Sequence, residues 1–253
     1  MKVNKYYIIY TNDNLSKQYA NDAAEQCKKL GVNYELYEGW KPQGGPGQMW
    51  RKFTAETGIP IKSFKRMMVG AHGCMASHLQ LWQRIVQNKE CAVILEHDGM
   101  MLHKVKLDIP DNKIVALGYK YREWENYDYK TAGQPERIKD VKFHPGSHAY
   151  AITHITAQKM IDEVTKVGVT EAIDNRWFMS SRKNFTKIPM AICDPIAAIG
   201  WLRLSTIQKY SATHNNHAEM LESFKNNFKG QLKESIVIPK GSVNIINRNK
   251  IRE

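Results

Sequence analysis

Short apolar runs in this chain alternate with longer stretches where apolar residues recur at helical spacing. Lys5-Tyr6-Tyr7-Ile8-Ile9-Tyr10-Thr11 is a β-rich run that stops at Asn12-Asp13-Asn14, residue types that favour turns and helix caps. Residues 15–30 read as a helix closed by Gly31, and 32–37 as a second short strand. Strand, helix, strand at this spacing opens a parallel sheet covered by helices. Pro42-Gln43-Gly44-Gly45-Pro46-Gly47 then interrupts the pattern as a loop, without the Gly-Lys-Ser/Thr of a phosphate-binding loop. From Gly73 the pattern turns helical: Met75, Leu79, Trp82 and Val86 share one face, widened by Leu81 and Ile85. Polar residues 87–90 end that helix. Residues 91–95 follow as a continuous apolar run, the signature of a buried strand. Further strands are expected at 113–118 and 148–152, and a helix at 156–164. The fold class predicted is α/β, a single domain with a mostly parallel central sheet flanked by helices.

Size and composition narrow this picture. A chain of 253 residues, 42% hydrophobic and 25% charged, can bury a full core within one domain. No apolar run approaches the ~20 residues of a membrane span. Met1-Lys2-Val3-Asn4-Lys5 lacks a signal peptide's apolar stretch, so a cytoplasmic location is expected. Cysteines 27, 74, 91 and 193 show no Cys-x-x-Cys spacing and read as reduced structural thiols, without the paired ligands of a tetrahedral zinc site. Charge changes the picture more. Thirty-seven Lys and Arg against 25 Asp and Glu leave a formal +12, which favours a polyanionic partner, nucleic acid or an anionic lipid surface. A soluble enzyme that merely runs basic is the plainer alternative. Residues from 225 onward are basic and weakly patterned, which divides the chain into a catalytic domain, 1–224, and a basic segment, 225–253, packed on it.

The candidate chemistry lies at the exit of the 91–95 run. Glu96-His97-Asp98-Gly99 stands where ligands gather in open α/β sheets, at the carboxyl end of a strand. Two acids flanking one residue form a hard-oxygen site for Mn²⁺ or Mg²⁺. A strand-end turn capped by Asp98 is the structural alternative.

The stretch Gly70-Ala71-His72-Gly73-Cys74-Met75-Ala76-Ser77-His78-Leu79-Gln80-Leu81-Trp82, followed by Ala92-Val93-Ile94-Leu95-Glu96-His97-Asp98, resembles glycosyltransferase family 25. That family's pattern runs Gly-x-x-Gly-Cys-x-x-Ser-His-x-x-x-Trp, a helix, then an apolar strand ending Glu-Asp-Asp. Residues 114–118, 145–152 and 174–177 resemble its later segments, so the likeness spans roughly residues 5–200. Here His97 replaces the central Asp, Ala71 a usual Glu and Ala149 a Gly. The resemblance implies a GT-A-like (Rossmann-like) transferase using a nucleotide sugar, a UDP-sugar first, with inversion at the anomeric carbon. It implies Asp98 as metal ligand, Glu96 near the ribose or a metal-bound water, Thr11 against the base and Ser147 as a further donor contact. Asp174 is the expected catalytic base, or else the N-cap of a helix carrying Trp177 and Phe178. His214 or His217 would complete the metal shell, whereas His78 reads as a packing or hydrogen-bonding residue.

Three acceptors are compatible with that family: a lipooligosaccharide saccharide, a hydroxylysine in a collagen-like chain, and a hydroxymethylated pyrimidine in DNA, as in phage enzymes. The +12 balance and the aromatic-basic stretch 119–130, with Arg122, Trp124 and Tyr127 as acceptor contacts, favour DNA over lipooligosaccharide. In the DNA reading an extruded base stacks on aromatic groups, and in a phage-encoded enzyme the compartment is the host cytoplasm. The same charge suits a lipooligosaccharide transferase docked on an acidic leaflet. The alternative of another class is a non-catalytic nucleic-acid-binding protein, indifferent to Glu96 and Asp98.

Overall fold

The computed structural model describes residues 1–42, 44–118, 133–141, 146–174 and 188–200. Its first strand, β1 (Lys5–Tyr10), alternates its side chains between two cores: Tyr7 and Ile9 enter one, Tyr6 and Ile8 the other. Helix α1 (Asn14–Lys29) starts where expected because the Asp13 carboxylate accepts from Ser16 N–H at 2.9 Å and caps it. Tyr19, Ala20, Ala23, Ala24 and Cys27 form its buried stripe. Gly31 follows at φ 61°, in the left-handed region that glycine favours. β2 (Tyr34–Glu38) then pairs parallel with β1.

Helix α2 (Pro46–Thr57) was not expected. Pro46 and Gly47 read as part of a loop, yet Pro46 occupies the first turn of the helix, where its fixed φ and missing N–H cost nothing. Met49, Trp50 and Phe53 bury its inner face, and Trp50 Nε1 donates to His72 Nδ1 at 3.0 Å. Helix α3 (Val69–Gln87) begins four residues before the expected Gly73 and buries Met75, Leu79, Leu81, Trp82 and Ile85. It leads into β3 (Cys91–Glu96), buried along its length except at Glu96.

The remaining elements are β4 (Gly99–Met101), β5 (Ile114–Ala116), β6 (Arg137–Val141), β7 (Ala149–Thr153), α4 (His154–Val167), β8 (Met190–Asp194) and β9 (Ala198–Gly200). Seven strands form one sheet in the order β2-β1-β3-β7-β5-β8-β6, while β4 and β9 pair separately. The α/β class and the helix-flanked central sheet are as expected. The sheet itself is mixed. β1 runs parallel to β2 and β3, and β5 to β8, whereas β3–β7, β5–β7 and β6–β8 are antiparallel. Residues of α2, α3 and α4 pack on one face and those of α1 on the other. No helix among the described residues is long and apolar enough to cross a membrane. The division at residue 225 and the basic segment beyond it fall outside the described residues.

Candidate active site

Strand direction decides which chain segments meet. β1 and β3 run parallel, so Thr11 and Glu96 leave the sheet at the same edge. β7 runs the other way, so its leading residues, Ser147 and His148, arrive at that edge too. The Glu96 N–H donates to the His148 carbonyl at 3.0 Å. Gly99 permits this closeness: a Cβ there would stand 2.2 Å from the His148 carbonyl oxygen.

Ser147 is the hub of the edge. Its hydroxyl bonds Glu96 Oε1 and lies 2.5 Å from Asp174 Oδ1, which also accepts from Ser147 N–H at 3.0 Å. A hydroxyl carries one proton, so it serves one of these carboxylates at a time. Two carboxylates converging on one hydroxyl make this edge attractive to a cation. Asp174, expected to act beside the acceptor, is thus tied to Glu96 through Ser147. Residues 175–187, including the Trp177 and Phe178 of the capping alternative, are outside the described residues.

On the helix side, His78 is 1% exposed and its Nε2 stands 3.4 Å from Glu96 Oε1. Its Nδ1 meets the Tyr150 hydroxyl at 2.7 Å, and that same oxygen accepts from Trp82 Nε1 at 2.8 Å. Burial pushes the Tyr150 phenol well above its ordinary pKa, so it stays protonated. Trp82, Tyr150 and His78 therefore form a buried polar chain ending at Glu96. His78 is hydrogen-bonded, as its sequence context suggested, but it also faces the candidate site. Cys74 lies one turn before it on α3. One ligand atom from each of Cys74, His78 and Glu96 falls within 4.8 Å of the others.

These groups border a cleft of ≈170 Å³. Thr11 and Asp13 form one wall, Trp40 and Pro42 another, and Gly70, Gly73, Cys74, Ser77 and His78 of α3 a third, with Glu96 and His97 completing it. The Thr11 hydroxyl donates to Asp13, and its N–H donates to Ser16 Oγ at 2.9 Å. Ser77 Oγ accepts from Trp40 N–H and donates to the Gly73 carbonyl, both at 2.7 Å, which holds the segment after β2 against α3. His97, standing where the family pattern has Asp, stacks on Tyr19 with ring centroids 6.0 Å apart.

Of the expected site residues, Thr11 and Glu96 line the cleft, and Ser147 and Asp174 join it through Glu96. Asp98 sits in the turn after β3 and is not among the cleft's lining residues. Arg122, Trp124, Tyr127, His214 and His217 lie outside the described residues. Asp13, Trp40 and Cys74 were not singled out from sequence as site residues. A Cys and a His four apart on a predicted helix was the available signal, since that spacing stacks side chains on one face. Donor chemistry divides the group. The carboxylates of Glu96 and Asp98 suit Mn²⁺ or Mg²⁺, whereas a thiol and an imidazole suit softer ions.

Residues 5–177 match the family described as glycosyltransferase family 25 (LPS biosynthesis protein). Among solved structures, the glycosyltransferase GlyE of Streptococcus pneumoniae TIGR4 is similar at 11% identity, covering 91% of this chain and 50% of its own, with a TM-score of 0.38. A glycosyltransferase involved in the glycosylation of the major capsid of PBCV-1 is similar at 11% identity, covering 85% and 98%, with a TM-score of 0.38. The chain thus spans half the length of GlyE. Among curated proteins, no sequence matches.

Proposed function

Because the chain belongs to glycosyltransferase family 25, we propose that it moves a sugar from a nucleotide sugar, a UDP-sugar, onto a hydroxyl acceptor. The observation that carries this reading is the convergence of Thr11 and Glu96 on one cleft, with Ser147 and Asp174 tied behind Glu96. Thr11 lies against the base, Glu96 near the ribose, and Ser147 keeps the Glu96 carboxylate oriented. Asp98, with Glu96, would hold Mn²⁺ or Mg²⁺, and His214 or His217 would complete its shell. When bound, such an ion neutralises charge on the departing diphosphate. Asp174 takes the acceptor hydroxyl's proton as the anomeric carbon is attacked from the opposite face, with inversion.

The acceptor is polyanionic in this reading, supported by the formal +12. A hydroxymethylated pyrimidine in DNA comes first, with Arg122, Trp124 and Tyr127 gripping the extruded base. The second reading, a lipooligosaccharide acceptor, is favoured by the family's description as LPS biosynthesis proteins. One experiment separates them: UDP-sugars and Mn²⁺ are supplied with plain duplex, hydroxymethylated duplex or a lipooligosaccharide core. Sugar on hydroxymethylated DNA, with affinity falling at a log–log salt slope of about −0.9 per phosphate contacted, supports the first. Transfer to the lipooligosaccharide core alone moves the acceptor to the second. No transfer to any acceptor, with Asp98→Asn and EDTA changing nothing in donor binding, ends both.

A further inference from the structure

Cys74 and His78 are four residues apart on α3, so they stack on one face, and β3 delivers Glu96 to the same point. Their ligand atoms lie within 4.8 Å of one another, close enough for modest side-chain rotation to bring them onto one ion. The His78 Nε2 is the second observation. It is buried and makes no hydrogen bond, although it stands 3.4 Å from Glu96 Oε1. A buried nitrogen in that state costs free energy unless something fills its lone pair or takes its proton.

We propose that Cys74, His78 and Glu96 bind a thiophilic divalent ion of the Zn²⁺ class, with its fourth position open to the cleft. Three protein ligands and one open position is the arrangement of zinc sites that meet a ligand, whereas closed structural sites use four. A sulfur, an imidazole nitrogen and one carboxylate oxygen select Zn²⁺ or Co²⁺ over Mg²⁺. The support behind His78 fits as well. With Nε2 on the ion, Nδ1 carries the ring proton and donates to the Tyr150 oxygen, the outer partner that a ligating histidine needs. Trp82 Nε1 fills the other lone pair of that oxygen and holds it in place. Binding releases the Cys74 thiol proton to solvent, so affinity rises with pH. Cys27, Cys91 and Cys193 are buried, and burial pushes each of their thiols up to about 12. Cys74 is the only half-exposed cysteine, and it lines the cleft.

This site shares Glu96 with the donor reading and adds Cys74 and His78, which that reading does not use, so it is tested without nucleotide and through those two residues. The full chain, stripped of metal with a chelator, is titrated with Co²⁺ and followed by absorbance, then with Zn²⁺ and followed by calorimetry. The expected result is a single equivalent of Zn²⁺ and a near-ultraviolet thiolate-to-Co²⁺ charge-transfer band. Cys74→Ser should abolish the band and weaken Zn²⁺ by more than about tenfold. His78→Gln should weaken Zn²⁺ similarly, with circular dichroism checking that it folds. Asp98→Asn, which bears on the donor reading, should leave the band in place. Absence of the band, or a band or Zn²⁺ affinity undiminished by Cys74→Ser, overturns the site and leaves the sugar-transfer reading untouched.

Discussion

β8 and β3 both end in a carboxylate, and the two acids are treated differently. Asp194 ends β8 beside the edge strand β6. Arg137 stands directly across from it in register, and Lys139 follows two residues on, where the same face recurs. The carboxylate accepts from Lys139 Nζ at 2.6 Å and Arg137 Nε at 2.7 Å, and these bonds hold its pKa below the usual range. Glu96 ends β3 in the middle of the sheet. Its registered neighbour on β1 is Ile9, and it meets His78, Ser147 and, through Ser147, a second carboxylate. An edge strand can bring its own cations to a neighbouring acid because its outer side faces water. A central strand end cannot, and its acid is left facing a cleft. The first arrangement serves the fold, and the second suits a ligand.

The comparison is broken or sharpened most by Asp174→Asn. If this acid takes a proton in the transition state, turnover should fall about 10²–10⁴-fold with donor binding nearly unchanged. Unchanged turnover with a lowered melting temperature would make the Glu96 end structural after all. Gly99→Ala comes next. The added methyl meets the His148 carbonyl, and backbone must move, so a loss of about 1–3 kcal/mol is expected in urea unfolding. A neutral result would mean that the turn after β3 does not hold Glu96 against 147–148. Tyr150→Phe removes the oxygen that Trp82 and His78 share and leaves buried polar groups behind, at a cost of about 1–3 kcal/mol. The same variant should weaken Zn²⁺ binding, which a purely packing role would not do.

The smallest effect is expected at the other carboxylate. Asp194 is mostly buried, but Arg137 and Lys139 are 67% and 50% exposed, so solvent screens the pair. Asp194→Asn should cost about 0.2–1 kcal/mol at neutral pH and leave sugar transfer unchanged. Its folded-state pKa is depressed, so this stabilisation is complete above the unfolded carboxyl's value and lost as pH falls through the folded one. The difference between the two proteins should therefore be flat near neutrality and shrink below about pH 4. A difference that grows in acid would contradict the pairing.

The elements legible in the sequence are ones where local pattern and burial agree, although the short buried strands β4, β8 and β9 carry too few residues to show a pattern of their own. β3 and α3 announce themselves through an unbroken apolar run and a helical stripe, and the structure buries both. The strand at 149–153 and the helix after it were legible for the same reason. α2 was hidden by the Pro and Gly of 42–47, although Met49, Trp50 and Phe53 already carried helical spacing. β6 was hidden because an exposed edge strand needs no apolar face, and Arg-Ile-Lys-Asp-Val has little of one. Among site residues, Glu96 was legible as an acid at a strand exit. Cys74 was not, because a thiol in a helical stripe looks like core.

What the sequence alone determined is local: which segments are strands or helices, which faces are apolar, and that acids follow the apolar run at 91–95. Those features depend on side chains two to four residues apart, and the chain displays them directly. Strand direction was decided only by the tertiary structure, and the mixed sheet follows from it. So was the meeting of Ser147 with Glu96 across 51 residues, of Ser147 with Asp174 across 27, and of His78 with Tyr150 across 72. Such contacts depend on strand register and chain crossing. No local period encodes either, so the site exists only once β3 and β7 lie antiparallel with α3 packed across them.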